Sequence, residues 1–440
     1  MSVRTRTGTR THRTLGVLTA CTAIALGMTA CVAGTSSGHS AASGGSDQVN
    51  LTFWTINLKK NFGGYVQGLI NGYRKAHPDV TLTWVDVPGN DVVPKLLAAV
   101  ASGEVPDVVN LTNLNLEQFV PALADLGPHL TPEQRKSYQP TLLAPLERDG
   151  KLVGLPWYNG GSPVSIINTE LVKKAGLDPA DPPETFTEAM EWGERVHTAD
   201  STVYGMNGIP NDIILEMEGV RLLAPDKKKA AFNTPAARAV LEQWAKGMKD
   251  GAIAPGATVK DERQYPQTLT NQQVAFAALS FPAVLVGMEK NNPDVFAKMA
   301  IGPGALGKAG SYVVPDQQTF VVPARSKNVK AAADFALYLT NAENQTAFCK
   351  LAPIYPSTVE SLKDPLFSRP ETDSIIDEAR TQIAKQLPRT TLSSMGTGKD
   401  EELRERLREQ VRAFMSGSKS AEQALADAER EWNELLAATD

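Results

Sequence analysis

Residues 51 to 87 spell strand, helix and strand in direct succession, and few architectures can absorb that order. Leu51-Thr-Phe-Trp-Thr-Ile56 is rich in β-branched and aromatic residues. Phe62, Tyr65, Val66, Leu69, Ile70 and Tyr73 then recur at i, i+3, i+4, i+7, i+8 and i+11, one face of a helix. His77-Pro78 closes that helix, because a proline pushes the residue before it out of the α region. Val80 to Val87 (VTLTWVDV) returns to strand chemistry. Two strands joined through a helix lie parallel in one sheet with a right-handed crossover, so the chain opens as an α/β fold. An amphipathic stretch from Val92 to Ala101 and a short strand from Val105 to Asn110 continue the alternation.

Later helices are announced by caps. Thr131-Pro-Glu-Gln134, Thr185-Phe-Thr-Glu188, Thr340-Asn-Ala-Glu343 and Ser420-Ala-Glu-Gln423 fit the capping box, in which a hydroxyl and a side chain three residues on satisfy orphan N–H groups. Two C-terminal stripes, Leu403, Leu407, Val411 and Phe414, then Leu425, Ala428, Trp432 and Leu436, predict a final helix pair. Trp192, Trp244 and Trp432 lie at helical spacing with apolar partners and read as core.

The first 30 residues read as an export signal. Arg4, Arg6, Arg10 and Arg13 precede a mostly apolar run from Leu15 to Ala30, too short for a membrane span. Gly27-Met28-Thr29-Ala30-Cys31 then resembles a bacterial lipobox, with Met28 where Leu is usual, and implies lipidation of Cys31. Residues 31–47 would be the lipidated cysteine and a Gly/Ser/Ala tether. Removing the signal takes the formal charge from -5 to about -9, which speaks against a nucleic-acid partner. Of Cys21, Cys31 and Cys349, only Cys349 then keeps a free thiol, so no internal disulfide is expected, and its neighbours suggest a buried small hydrophobe.

Catalytic and metal signatures are poor. Gly34-Thr-Ser-Ser-Gly38 matches G-x-S-x-G inside the tether, without a strand before or a helix after it. Gly302-Pro-Gly-Ala-Leu-Gly307 matches G-x-G-x-x-G but leads into the β-like Ser311 to Val314. No H-E-x-x-H, C-x-x-C or EF-hand loop occurs, so neither a metal nor a cofactor is expected. A carboxylate pair for glycoside hydrolysis stays open, since such pairs meet only in the fold.

Binding chemistry gathers in loops instead. Trp54 and Asn57 close the first strand, Thr112 and Asn113 follow the third, and Trp157, Tyr158 and Asn159 follow Leu155-Pro156. Ligands of open parallel sheets bind beyond the carboxyl ends of the strands, where such loops gather. Aromatic faces beside amides and hydroxyls suit a polyhydroxylated ligand. Further along, Tyr204, Asn207, Phe281, Asp316, Gln317 and Tyr355 are candidates, and Glu216 and Glu218 read equally as a helix face or as hydroxyl acceptors.

Several segments together resemble one family. The export signal, lipobox and tether, then Ser102-Gly-Glu-Val-Pro-Asp-Val108 and Gly150-Lys-Leu-Val-Gly-Leu-Pro-Trp157, resemble the carbohydrate-binding, maltose-binding-protein-like lipoproteins of bacterial ABC importers. Ile166-Ile-Asn168 with Leu171 to Gly176, Pro183 to Glu188, Thr319 to Pro323 with Ala331 to Thr340, and Tyr355-Pro356-Ser357 follow in the family's order. A departure is Leu279-Ser280-Phe281-Pro282, where the family often carries a Trp.

The resemblance implies a two-lobed periplasmic-binding-protein-like α/β fold with a hinge and an interlobe ligand cleft. Lobe I would be 48–160 plus 316–360, and lobe II 161–315 plus 361–440. It implies a non-enzymatic monomer, lipid-anchored on the extracytoplasmic face of the cell membrane. That receptor would bind a mono- or oligosaccharide by closing two lobes and deliver it to the transmembrane subunits of an ABC permease. The alternatives are a lipid-anchored glycan-active hydrolase and a solute sensor on the same fold.

Overall fold

Thirteen strands and the helices between them were located in a computed structural model, which describes residues 48–438 apart from 261–263, 315–316, 370–371 and 394. Cys31, its tether and Asp316 lie outside the described residues. The strands are β1 (Val49–Ile56), β2 (Val80–Val87), β3 (Val108–Thr112), β4 (Glu147–Arg148), β5 (Lys151–Leu152), β6 (Leu155–Asn159) and β7 (Val164–Asn168). They continue with β8 (Phe276–Ser280), β9 (Met299–Pro303), β10 (Tyr312–Val314), β11 (Gln317–Val321), β12 (Tyr355–Pro356) and β13 (Thr390–Leu392).

The opening pattern folds as its chemistry dictates. β1 and β2 pair in parallel along their full length, from Val49 opposite Val80 to Ile56 opposite Val87. The helix Lys59–Ala76 between them buries Val66, Leu69, Ile70 and Tyr73. Phe62 leaves helical geometry (φ -126, ψ 18), with Gly63 and Gly64 following it and its ring edge-on to Phe348 at 5.1 Å. A glycine pair is a common site for such a kink.

A six-stranded sheet runs β12-β6-β11-β3-β1-β2. β1, β2 and β3 are parallel, while β11 is antiparallel to both β3 and β6, and β12 is antiparallel to β6. A second sheet, β8-β7-β9, is antiparallel throughout, and β10 pairs with β13. Each large sheet has its own core. Phe53, Leu111, Phe320 and Phe335 belong to the first, and Phe186, Leu241, Leu407 and Trp432 to the second. A third cluster, including Val164, Cys349, Tyr355 and Ile383, fills the region where the chain passes between the sheets. The result is a two-lobed α/β fold.

Two local expectations shift. The third strand starts at Val108, not Val105, because Pro106 has no N–H to give a ladder and Asp107 is held outside it, accepting from the Thr52 N–H (2.8 Å) and the Ser326 hydroxyl (2.5 Å). The cap of helix Ala342–Cys349 is Asn341, whose side chain accepts from the Asn344 N–H. Thr340 is buried instead, with its hydroxyl bonded to the Ala336 carbonyl and 2.6 Å from the Tyr138 hydroxyl. The boxes at Thr131, Thr185 and Ser420 form as expected. Gly302 to Gly307 passes from β9 into a turn with no helix after it, and Gly304 lies too close to the Pro163 carbonyl for a side chain.

Candidate functional site

Strand direction assembles the site. The carboxyl ends of β1, β2, β3 and β6 and the amino ends of β11 and β12 share one edge of the large sheet. Asn57, Thr112, Asn113, Asn159, Gln317 and Tyr355 therefore arrive together from five stretches of sequence. Asn57 turns the chain with φ 54, which asparagine tolerates better than most residues, and its N–H donates to the Val87 carbonyl at 3.1 Å. Thr112 stands opposite Gln318.

Asn113 acts as a bracket. Its Oδ1 accepts from the Gln317 N–H at 2.9 Å, and its Nδ2 donates to the Ser393 carbonyl at 3.3 Å. Asn159 pairs across the sheet with both Gln317 and Tyr355, and its Oδ1 accepts from the Gly161 N–H at 2.8 Å. That local turn bends the chain out of the large sheet. Gly161 is required there: its φ is +80, and a Cβ would lie 2.4 Å from the Tyr355 ring.

Just beyond, the chain enters β7, whose amino end lies beside the carboxyl ends of β8 and β9. Buried Gln386 ties this junction, donating to the Ser162 hydroxyl (2.7 Å) and the Pro163 carbonyl (2.9 Å) and accepting from the Tyr312 hydroxyl (3.1 Å). Between the two sheet edges lies a cavity of about 210 Å³ lined by Gly160, Gly161, Phe281, Pro282, Ala283, Val314 and Pro353. Phe281, the residue before helix Pro282–Asn291, is 40% exposed there. Asn159 and Gln317 are fully buried, yet Asn159 Nδ2 and Gln317 Oε1 find no partner among the described residues. Leaving such groups unpaired costs about 1–3 kcal/mol each, so the edge holds unspent hydrogen-bonding capacity.

Beside Asn113 lies a charged cluster from the other lobe. The Ser393 hydroxyl donates to Glu216 Oε2 at 2.8 Å and accepts from Arg404 Nη2 at 2.8 Å, while Arg404 Nη1 lies 3.0 Å from Asp212 Oδ2. Asp212 and Arg404 are almost wholly enclosed. Burial, offset in part by the Ser393 hydrogen bond and Arg404 and reinforced by Asp212 and Asp400, pushes the Glu216 carboxyl up to about 7. Glu218 pairs with Lys308 at 3.3 Å.

The remaining candidates are placed elsewhere. Trp54 points to the sheet face, where it lines a separate pocket of about 530 Å³ with Asn50, Thr52, Glu104 and Arg325, toward the amino ends of the strands. Trp157 is 1% exposed, its ring stacked on Phe348 at 5.3 Å and tilted on Phe320 at 4.6 Å. Tyr158 is half-buried and edge-on to both Trp157 and Phe348. Tyr355 is buried against Phe367. Tyr204 stacks on His197 at 4.7 Å, and Asn207 Nδ2 donates to the Thr268 hydroxyl at 3.3 Å while its Oδ1 has no partner among the described residues. Trp244 and Trp432 are buried and Trp192 packs on the second core. Ser393, Gln386 and Arg404 went unread in sequence. Only Arg404, an arginine set directly beside the apolar stripe at Leu403 and Leu407, gave any signal.

Among the described residues, no group of three or more His, Cys, Asp or Glu could hold a metal ion, and no helix is long and apolar enough to cross a membrane.

Comparison with known proteins adds four findings. The sequence model of one family, described as bacterial extracellular solute-binding protein, matches residues 68–372. A Deinococcus radiodurans protein described as an ABC transporter-binding protein is 25% identical over 284 residues, 60% of this chain, and the chain spans 65% of that relative's length. Among solved structures, a Synechococcus sp. MITs9220 protein described as an oligosaccharide periplasmic-binding protein superposes with TM-score 0.75 at 27% identity, covering 88% of this chain and 98% of that one. The cyclic alpha-maltosyl-1,6-maltose binding protein of Arthrobacter globiformis shares the fold, with TM-score 0.75 at 19% identity over 88% of this chain and 99% of its own.

Proposed function

The chain belongs to the bacterial extracellular solute-binding protein family, and from that premise we propose that it is an extracytoplasmic receptor that captures a sugar between its lobes and delivers it to an ABC permease. The lobes would be 48–160 plus 316–360 and 161–315 plus 361–440. Cys31, acylated after signal cleavage, would tether this monomeric receptor to the outer face of the cell membrane, where stable anchoring takes more than one acyl chain.

One observation carries the reading. Gly160, Gly161 and Pro353, beside β6 and β12 of the large sheet, and Phe281, Pro282 and Ala283, just after β8 of the smaller sheet, line one cavity that neither side could form alone. A ligand that touches both lobes binds the closed arrangement better than an open one, and only that difference in affinity can drive closure. Phe281 offers a ring face for C–H groups at that cavity, while Asn159 and Gln317, fully buried and outside its lining, hold the sheet edge next to it. A permease that recognises the closed form would then sense occupancy.

The test is a thermal-shift screen of the mature protein against mono- and oligosaccharides, with product analysis of every hit. A sugar at ~1,000 times its dissociation constant adds about 4 kcal/mol. For a body with an unfolding entropy of about 0.8 kcal/mol/K, the midpoint rises by roughly 5 °C. Intact sugar recovered from a stabilised complex supports the receptor, cleaved sugar moves the assignment to a hydrolase, and silence across the panel removes sugar as the cargo.

A further inference from the structure

The interlobe cavity is small. At about 210 Å³ it falls below the ~300–1,000 Å³ of ordinary small-molecule sites, so it encloses little more than one ring of a ligand. It is not isolated. Ala283 also lines a groove of about 630 Å³ that runs between helices Gln264–Thr270 and Pro282–Asn291.

The groove's chemistry is selective. Ten residues line it and none is charged. Val284 and Met288 supply an apolar floor, while the side-chain amides of Gln267, Asn271, Asn291 and Asn292 stand along it with no hydrogen-bond partner among the described residues. Gly287 sits mid-helix, where glycine costs about 1 kcal/mol relative to alanine. The space its side chain would fill is open, with no heavy atom within 4 Å of an added Cβ. A neutral trough with planar amides above an apolar floor matches a chain of sugar rings, whose C–H faces and paired hydroxyls need those two surfaces. An anionic or cationic solute would find no counter-charge there.

Resting on the sugar reading above, we propose that this groove is a second carbohydrate subsite, which takes the following units of an oligosaccharide whose terminal unit occupies the interlobe cavity. The receptor then discriminates by chain length, and Gly287 keeps the trough open.

The experiment is calorimetric titration of the mature protein with one- to six-unit series of α-1,4-glucan, β-1,4-glucan and β-1,4-xylan, repeated on Gly287→Phe and on the double variant Asn271→Ala/Asn291→Ala. In at least one series the affinity is expected to rise tenfold or more from the monosaccharide to the tetrasaccharide. In Gly287→Phe, and less completely in the double variant, the ratio of long-chain to monosaccharide affinity collapses toward one. Equal affinity from one to six units overturns the subsite while leaving the sugar receptor intact. So does a Gly287→Phe variant that preserves the wild-type ratio. Absence of binding in all three series overturns the sugar reading and the subsite with it.

Discussion

Glu216 makes the fold's stability depend on pH in a direction opposite to most carboxylates. Burial is the main cause of its carboxyl rising from 4.5 to about 7, and Asp212 and Asp400 add to it against Ser393 and Arg404. Folded, the group stays protonated between those values; unfolded, it is ionised there. The folded state binds the extra proton, so its contribution is full below about 4.5 and is lost as pH rises through about 7. Between pH 5 and pH 8 the loss comes to about 2–3 kcal/mol. Glu216→Gln keeps an acceptor for the Ser393 hydroxyl and is neutral throughout, so it removes that slope. With an unfolding entropy of about 0.8 kcal/mol/K for a body this size, the wild-type midpoint should fall by roughly 3 °C relative to the variant between pH 5 and pH 8. Scanning calorimetry of both proteins without ligand, at matched ionic strength, reads this directly. Midpoints that stay parallel across the range, or a variant that loses ground at high pH, would refute the assignment of the proton to Glu216.

Arg404→Met should cost about 3–5 kcal/mol, because among the described residues it leaves buried Asp212 with only Arg408, 3.8 Å away, as a paired cation; chemical denaturation checks it. Gly161→Ala forces a side chain into a left-handed backbone and against Tyr355, and should destabilise by more than about 1 kcal/mol; the same measurement, run beside ligand titration, shows whether the junction is strained. Burial pushes the Cys349 thiol well above its ordinary range, so a thiol reagent should label it only after denaturant is added. Stoichiometric labelling of the native protein would contradict that placement.

What could be read from the sequence was local. The β1-helix-β2 unit is legible because its periodicities switch from two to 3.6 and back within one short segment. Asn113 and Asn159 were legible as amides just past strand chemistry. Trp157 was not: the loop-like Trp-Tyr-Asn-Gly-Gly run hides that it ends a strand, and the rings that enclose it, Phe320 and Phe348, come from far downstream. The Asp212–Arg404 pair was invisible for the same reason, since neither residue has its partner within its own helix. Thr340 shows the complementary failure, where a sequence that matches a capping box lost its hydroxyl to buried partners and the cap moved to the next residue.

The position of β11 has a consequence in time. It lies between β3 and β6, in the interior of the large sheet, yet the ribosome makes it only after β7 to β10. At ~5–20 residues per second, the stretch from Thr112 to Gln317 takes roughly 10–40 s to synthesise. Throughout that interval β3 lacks the partner on its second side, and β6, once made, has nothing to join it to β3, so the growing chain cannot lock itself shut. A translocase that threads only unfolded polypeptide would have that long to engage it.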